Sequence, residues 1–242
     1  MVSTNPVFRA YAATYQGDGM FVATQAMANT MNILNVHTDN IANYGVPGYQ
    51  KKAPVVSQFA EYLHPSDVVD KITDQRVGRI RLSGNPTDFA LAKPGYFQKL
   101  DPSTGTVQLT RDGRMKLERD GTLVSLDGKS ILSSAGTPIR LPSVPQNLSK
   151  QLTVESDGTL TFYDPKTGKA DPLGKLSVVN PDGTVVSEPE VKQGFVEDSN
   201  VFLQQEFAGI MPLRRFFEAN RQVFLIQSDS LSKMIQELGR AQ

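Results

Sequence analysis

Residues 203–238 read LQQEFAGIMPLRRFFEANRQVFLIQSDSLSKMIQEL. Apolar side chains recur there every seven positions, at Leu203, Ile210, Phe217, Phe224, Leu231 and Leu238, with Phe207, Leu213 and Met234 in the intervening steps. A shorter repeat lies at the other end of the chain: Met20, Met27, Leu34 and Ile41 are seven apart, with Ala23, Met31 and Thr38 between them. A sustained seven-residue spacing marks helices that bury a narrow seam against another helix. Neither end can bury its seam alone. Either the terminal helices pack together inside one domain, or the two ends form a rod that packs against copies of itself.

Local signals bound both helices. Gly17-Asp18-Gly19 reads as a turn and cap, so the first helix is expected from about Asp18 to Asn43, where Asn43-Tyr44-Gly45-Val46-Pro47-Gly48 stops it. Its flanks carry Thr24, Gln25, Asn29, Thr30, Asn32, Asn35 and Asn40 rather than charges. Amides and hydroxyls can be hydrogen-bonded among close neighbours without the desolvation cost of ions. The last helix is expected from near Asn200, with Ser199 or Asn200 as N-cap, to about Leu238. Pro212 removes one backbone bond and is expected to kink or split it, at ~3 kcal/mol, with Gly209 marking the bend.

The chain between the helices reads as β. Residues 50–84 look irregular, with an apolar segment from Val55 to Leu63 and a strand at Arg76–Leu82. From Asp88 to Val196 five Asp-Gly pairs (at Asp112, Asp120, Asp127, Asp157 and Asp182) punctuate short apolar runs, as in a meander of hairpins in which both turn residues take positive φ. Leu160–Tyr163 and Leu176–Val179 supply further strands, and Pro138, Pro142 and Pro145 mark a loop or edge. The fold class is α+β: a discontinuous, coiled-coil-like helical core from both termini and an all-β middle domain. The expected divisions are 1–48 with 197–242 as the helical core, 49–87 as a linker or extended segment, and 88–196 as a β-rich outer domain.

Composition narrows the function. Lys+Arg and Asp+Glu balance at 25 each, which gives no electrostatic footprint for nucleic acid or anionic membrane. No run of 18 apolar residues suggests a membrane-spanning helix. Residues 1–16 lack a charged segment followed by an apolar one, so no cleavable secretory signal is visible. Cysteine is absent, which suits a protein working outside the cytoplasm without disulfides. A cytoplasmic protein, or one exported by a machine that does not cleave its cargo, fits both observations.

Catalytic chemistry has no support in the residues. The two histidines, His37 on the seam side of the first helix and His64 in the irregular segment, stand apart. With no cysteine they make neither a nucleophilic triad nor a zinc site. Asp101-Pro102-Ser103-Thr104-Gly105 and Asp164-Pro165-Lys166-Thr167-Gly168 lack the alternating oxygen ligands of a calcium loop and read as turns. No catalytic residue, cofactor or metal site is expected.

Five segments, in order, carry a family resemblance. Asp39-Asn40-Ile41-Ala42-Asn43-Tyr44-Gly45-Val46-Pro47-Gly48-Tyr49 is an Asn-rich helix end with a Pro-Gly-aromatic exit. Ser83-Gly84-Asn85-Pro86-Thr87-Asp88-Phe89-Ala90-Leu91 with Gly95-Tyr96-Phe97 leads into the β region, and Thr110-Arg111-Asp112-Gly113-Arg114-Met115 follows. Gly194-Phe195-Val196-Glu197-Asp198-Ser199-Asn200-Val201 returns to the last helix, whose centre is Arg215-Phe216-Phe217-Glu218-Ala219-Asn220-Arg221-Gln222-Val223-Phe224. Together they resemble the flagellar hook–basal-body family, the axial proteins of the bacterial rod and hook. Val46 stands where that family commonly has Thr, and Gln50 where it commonly has a basic residue. The short segment between Gly48 and Gly84 is similar to rod proteins of the FlgF/FlgG type, and to the proximal FlgF type more than the distal FlgG type.

The resemblance implies a structural subunit of the flagellar basal-body rod. Such a subunit polymerises through its terminal helices with copies of itself and other rod and hook axial proteins. It is exported by the flagellar type III apparatus and sits in the rod that crosses the cell envelope, in the periplasm. The expected subunit-packing seam is Met20, Met27, Met31, Leu34, Ile41, Leu203, Phe207, Ile210, Phe217, Phe224, Leu231 and Leu238. Asn40, Asn43, Pro47, Gly48, Ser199, Asn200 and Glu218 are the expected signature and hinge residues. The alternative is a secreted β-rich binding module with a helical stalk.

Overall fold

Pro6, whose fixed φ suits the first position of a helix, opens α1 (Pro6–Ala42). The helix therefore begins well before Asp18 and runs straight through Gly17-Asp18-Gly19. Ala10, Ala12 and Ala13 favour it, and each interior glycine costs only about 1 kcal/mol. The second long helix, α2 (Leu203–Arg240), starts later than expected: the Phe202 carbonyl accepts the first helical bonds, from Gln205 N at 3.0 Å and Glu206 N at 3.1 Å. Ser199 and Asn200 lie outside the helix and are not its caps. Pro212 sits inside α2, which continues as one element on both sides of it. The expected split is absent, and Ile210 and Leu213, one on each side, are both half-buried.

The computed structural model describes residues 6–56, 69–142, 151–164 and 168–240. His64, Pro145 and most of the Val55–Leu63 segment lie outside them. Two compact units emerge. The first combines α1, α2 and a hairpin of β1 (Lys52–Val56) and β2 (Val69–Thr73), antiparallel with Lys52 opposite Thr73. The second contains residues 43–51 and 74–201. The chain thus crosses between units after Ala42, Lys51, Thr73 and Val201, and the stretch expected to be irregular contributes a hairpin to the helical unit.

The second unit is antiparallel β. Its largest sheet has the order β13-β5-β9-β8-β7, with β6 on the side of β5. These strands are β5 (Tyr96–Leu100), β6 (Val107–Thr110), β7 (Met115–Leu117), β8 (Leu123–Ser125), β9 (Ser130–Ile131) and β13 (Val178–Val179). A three-stranded sheet joins β10 (Leu152–Val154), β11 (Thr159–Asp164) and β12 (Lys169–Lys175). Two pairs complete it: β3 (Ile80–Leu82) with β15 (Phe195–Glu197), and β4 (Phe89–Leu91) with β14 (Val191–Gln193). Phe89, Phe97, Leu123, Ile131, Leu160 and Leu176 form the centre of a closed core, each at most 1% exposed.

The Asp-Gly loops differ from the expected tight turns. At Asp120, Asp127, Asp157 and Asp182 only the glycine takes positive φ, between 80° and 91°. In the first, Gly121 N bonds Glu118 O at 3.0 Å and Glu118 N bonds Thr122 O at 2.9 Å, a three-residue loop closed by a glycine bulge. The aspartate then accepts from the backbone N–H and hydroxyl two residues on, at Thr122, Thr159 and Thr184. That need for a side-chain acceptor explains why aspartate precedes the glycine in those three loops. Gly113 is different: its φ is not positive, and a Cβ there would lie 1.6 Å from Phe89 O, so Asp112-Gly113 is a close backbone crossing rather than a hairpin turn.

Candidate functional site

In the helical unit, α1 and α2 pack against each other. Among the described side chains of α1, the best-buried are Ala23, Thr30, Val36 and Asn40. Most are small or polar, and Thr30 returns its hydroxyl to Ala26 O at 2.6 Å. Met20, Met27, Leu34 and Ile41 flank them half-buried, and Met31 is 47% exposed. On α2 the half-buried face is Leu203, Ile210, Leu213, Phe217, Phe224, Leu231 and Met234, whereas Phe207 and Leu238 are exposed. The only fully buried residue of this 38-residue helix is a carboxylate, Glu206.

Glu206 is held by a polar cluster within the same unit. His37 Nδ1–H donates to Glu206 Oε2 at 2.8 Å, and Asn40 Nδ2 donates to the same oxygen at 3.0 Å. Asn40 also pairs with the backbone of Lys52, donating to its carbonyl at 2.8 Å and accepting from its N–H at 2.9 Å. One buried amide thus ties α1 to β1 and α2. Two α1 contacts with α2 depend on glycine. A Cβ at Gly209 would lie 2.7 Å from the His37 ring, and one at Gly19 would lie 2.3 Å from the Gln227 amide. Gly209 therefore serves close helix approach, not the bend expected at Pro212.

A second cluster forms in the β unit from residues far apart in sequence. Arg111 and Glu197 are an ion pair, with Nε to Oε2 at 2.7 Å and both side chains at most 3% exposed. The remaining guanidinium donors reach Gly95 O at 2.5 Å and Leu91 O at 3.1 Å. Glu197 Oε1 accepts from Gly78 N at 2.8 Å, and its backbone carbonyl accepts from Gly48 N at 2.8 Å. Burial pushes the Glu197 carboxyl above its ordinary range, against the pull of Arg111. Gly48 has φ 71°, and a Cβ there would lie 2.5 Å from Arg111 C and Asp112 N. Beside it Tyr96 OH donates to Gln50 Oε1 at 2.5 Å, so the position where the family commonly has a basic residue holds a buried amide acceptor.

The signature residues thus have distinct places. Asn200 Oδ1 accepts from Lys51 N at 2.6 Å, while its amide donates to Asp74 O at 3.0 Å and Arg76 O at 2.9 Å. It ties the crossing segments of the β unit together. Ser199 Oγ accepts from Val201 N at 3.2 Å, and Asn43 O accepts from Val46 N at 3.0 Å in the turn that carries half-buried Pro47. Glu218 joins none of these clusters. It is exposed on α2, 3.7 Å from Arg221. Arg111, Glu197 and Glu206 carry no local sign of these roles in the sequence. The first two lie inside quoted motifs, and their partnership across 86 residues has no local signal.

Among the described residues no group of three or more His, Cys, Asp or Glu is placed to hold a metal ion, and no helix is long and apolar enough to cross a membrane.

With this geometry in view, comparison with known proteins is direct. Residues 90–162 match the family model described as the flagellar hook protein FlgE/F/G D1 domain. The chain is 27% identical to the flagellar basal-body rod protein FlgF of Rhizobium meliloti, over 91% of this chain and 98% of that protein. It is 28% identical to FlgF of Mesorhizobium japonicum, over 92% and 98%. FlgG of Bacillus subtilis is 24% identical, over 89% and 97%. These similarities do not favour the reading as a secreted binding module with a stalk.

Proposed function

We propose, from its homology to the flagellar basal-body rod proteins, that this chain is a structural subunit of that rod, of the FlgF type, and polymerises through its terminal helices. One observation carries the reading: α2 leaves Phe207, Met211, Phe216, Ile226 and Ile235 each more than half exposed while burying only Glu206. Apolar surface on that scale is what neighbouring helices cover, at about 25 cal/mol for each Å² removed from water. The near-equal FlgF and FlgG similarities accord with a rod position, and the two FlgF relatives of higher identity support the proximal assignment.

In this reading the neighbours are copies of the chain and other rod and hook axial proteins. The subunit reaches its place through the flagellar type III export apparatus and functions where the rod crosses the envelope, in the periplasm. The seam offered to neighbours is Met20, Met27, Met31, Leu34 and Ile41 on α1 with Leu203, Phe207, Ile210, Phe217, Phe224, Leu231 and Leu238 on α2, of which Met31, Phe207 and Leu238 are exposed in the single chain. No catalytic step is needed: the work is transmission of torque through many simultaneous side-chain contacts.

Phe207→Asp tests this. Phe207 is 55% exposed in the single chain, so the isolated variant should keep its helical circular dichroism and its melting temperature. A charge placed in a desolvated subunit contact costs several kcal/mol, so rod incorporation and swimming should be lost in a strain lacking the native subunit. Normal motility of that strain would contradict the proposal.

A further inference from the structure

The contacts between α1 and α2 obey one rule. His37 meets Gly209, Asn40 meets Glu206 and Gly19 meets Gln227, so the helices run antiparallel and the residue numbers of each facing pair sum to 246. The large apolar side chains on α2 do not encode this register. Leu203, Ile210, Phe217, Phe224 and Leu231 repeat every seven residues, so a slip of one heptad, about 10 Å along the axis, replaces each with another of similar size.

We infer that Glu206 and Gly209 are a register key, read by His37 and Asn40, that restricts α2 to a single docking position on α1. A slip in one direction puts Phe216 where Gly209 lies under the imidazole, and a slip in the other puts Phe202 there. Either phenylalanine occupies the space in which even a Cβ would come within 2.7 Å of the ring. The same slips put Leu213, or Ser199 outside the helix, at the place of Glu206. His37 and Asn40 then lose their shared carboxylate, which the first slip carries past the end of α1 and the second puts at the half-buried place of Leu213. A polar group in a helix seam that selects register at a cost in stability is a well-attested use of such groups. The key explains why a helix otherwise only half-covered buries a carboxylate completely. The inference concerns pairing within one chain and stands independently of the rod reading.

The chain has no cysteine, so Asn35→Cys with Ala219→Cys, both exposed, gives two spin labels on full-length protein. Their separation along the axis differs for the native register and for a slip in either direction. The parent should give one distance by double electron–electron resonance, and a broad distribution there would overturn the proposal. Adding His37→Ala and Glu206→Leu should introduce a second distance, with helical circular dichroism retained. One unchanged distance in that folded variant overturns the key. A transplanted key is decisive if the first variant loses helix. Glu206→Leu, Gly209→Phe, Leu213→Glu and Phe216→Gly together move it one heptad along α2. The register should follow, giving a single distance shortened by up to about 10 Å. The parental distance, or no defined distance, contradicts the inference.

Discussion

The two units of this chain solve the burial problem in opposite ways. In the β unit Phe89, Phe97, Leu123, Ile131, Leu160 and Leu176 are removed from water, and the deeply buried charge pair Arg111–Glu197 has backbone partners on both members. In the helical unit a 38-residue helix buries a single carboxylate and leaves five large apolar side chains more than half exposed. The first encloses its own core, with Leu82 and Val185 left exposed on its surface. The second has no comparable apolar core, and the proposed rod contacts would cover its exposed side chains. Under the proposed function the chain carries its stability in one unit and its capacity to assemble in the other, and substitutions should separate the two.

The largest effect on stability is expected at Arg111. Arg111→Ala leaves Glu197 buried without its counter-charge, which costs about 3–5 kcal/mol. The β-unit transition, followed by near-UV circular dichroism, should drop sharply in temperature while helical content at low temperature persists. Arg111→Met with Glu197→Leu should recover most of the loss. Equal loss of both units would mean that they unfold as one and that the contrast is false.

Gly48→Val comes next. The residue needs positive φ and open space against the Arg111–Asp112 backbone, so strain and displacement together cost about 3 kcal/mol. Calorimetry should show the loss in the β-unit transition. Gly45→Ala should be mild, since nothing lies within 4 Å of a Cβ there and its φ is not positive.

Gly48 also shows what the sequence could and could not say. As a turn out of the first helix it was legible from Asn43-Tyr44-Gly45-Val46-Pro47-Gly48, and so were both helices, the β character of the middle and the Leu203–Leu231 row. The reason for Gly48 was not, because its constraint is the Arg111–Asp112 backbone more than sixty residues away. The same holds for Glu206, whose place in the first turn of α2 carries no local sign of burial, and for Arg111 with Glu197. Helix ends were misjudged where a local signal met a tertiary use: Gly17-Asp18-Gly19 imitates a cap, yet Gly19 is where α1 admits Gln227. Ser199 and Asn200 imitate caps, yet Asn200 fastens backbone segments of the β unit.

The smallest effect is expected from pH. Bonds from Ser103 hold the Asp101 carboxyl down to about 2, and bonds from Thr122, Thr159 and Thr184 lower Asp120, Asp157 and Asp182. For groups depressed in the folded state, the stabilisation is complete above the unfolded value near 3.9 and is lost as pH falls through the folded one. The β unit should therefore melt at progressively lower temperature from about pH 4 to pH 2. Glu197 shifts the other way and binds its proton at higher pH, which opposes part of the loss. Asp120→Ala should flatten the profile slightly, whereas a flat profile in the parent would mean these loops are not formed in solution.

Hydrogen exchange on the dilute, full-length chain tests the division of labour most directly. The account predicts slow exchange across the strands between residues 89 and 197, governed by global unfolding, and exchange in α1 and α2 through openings of much lower free energy. Assembly should slow the helices and leave the strands unchanged. Equal protection of the helices and the strands in the dilute chain would contradict it, because the terminal helices would then be finished without neighbours.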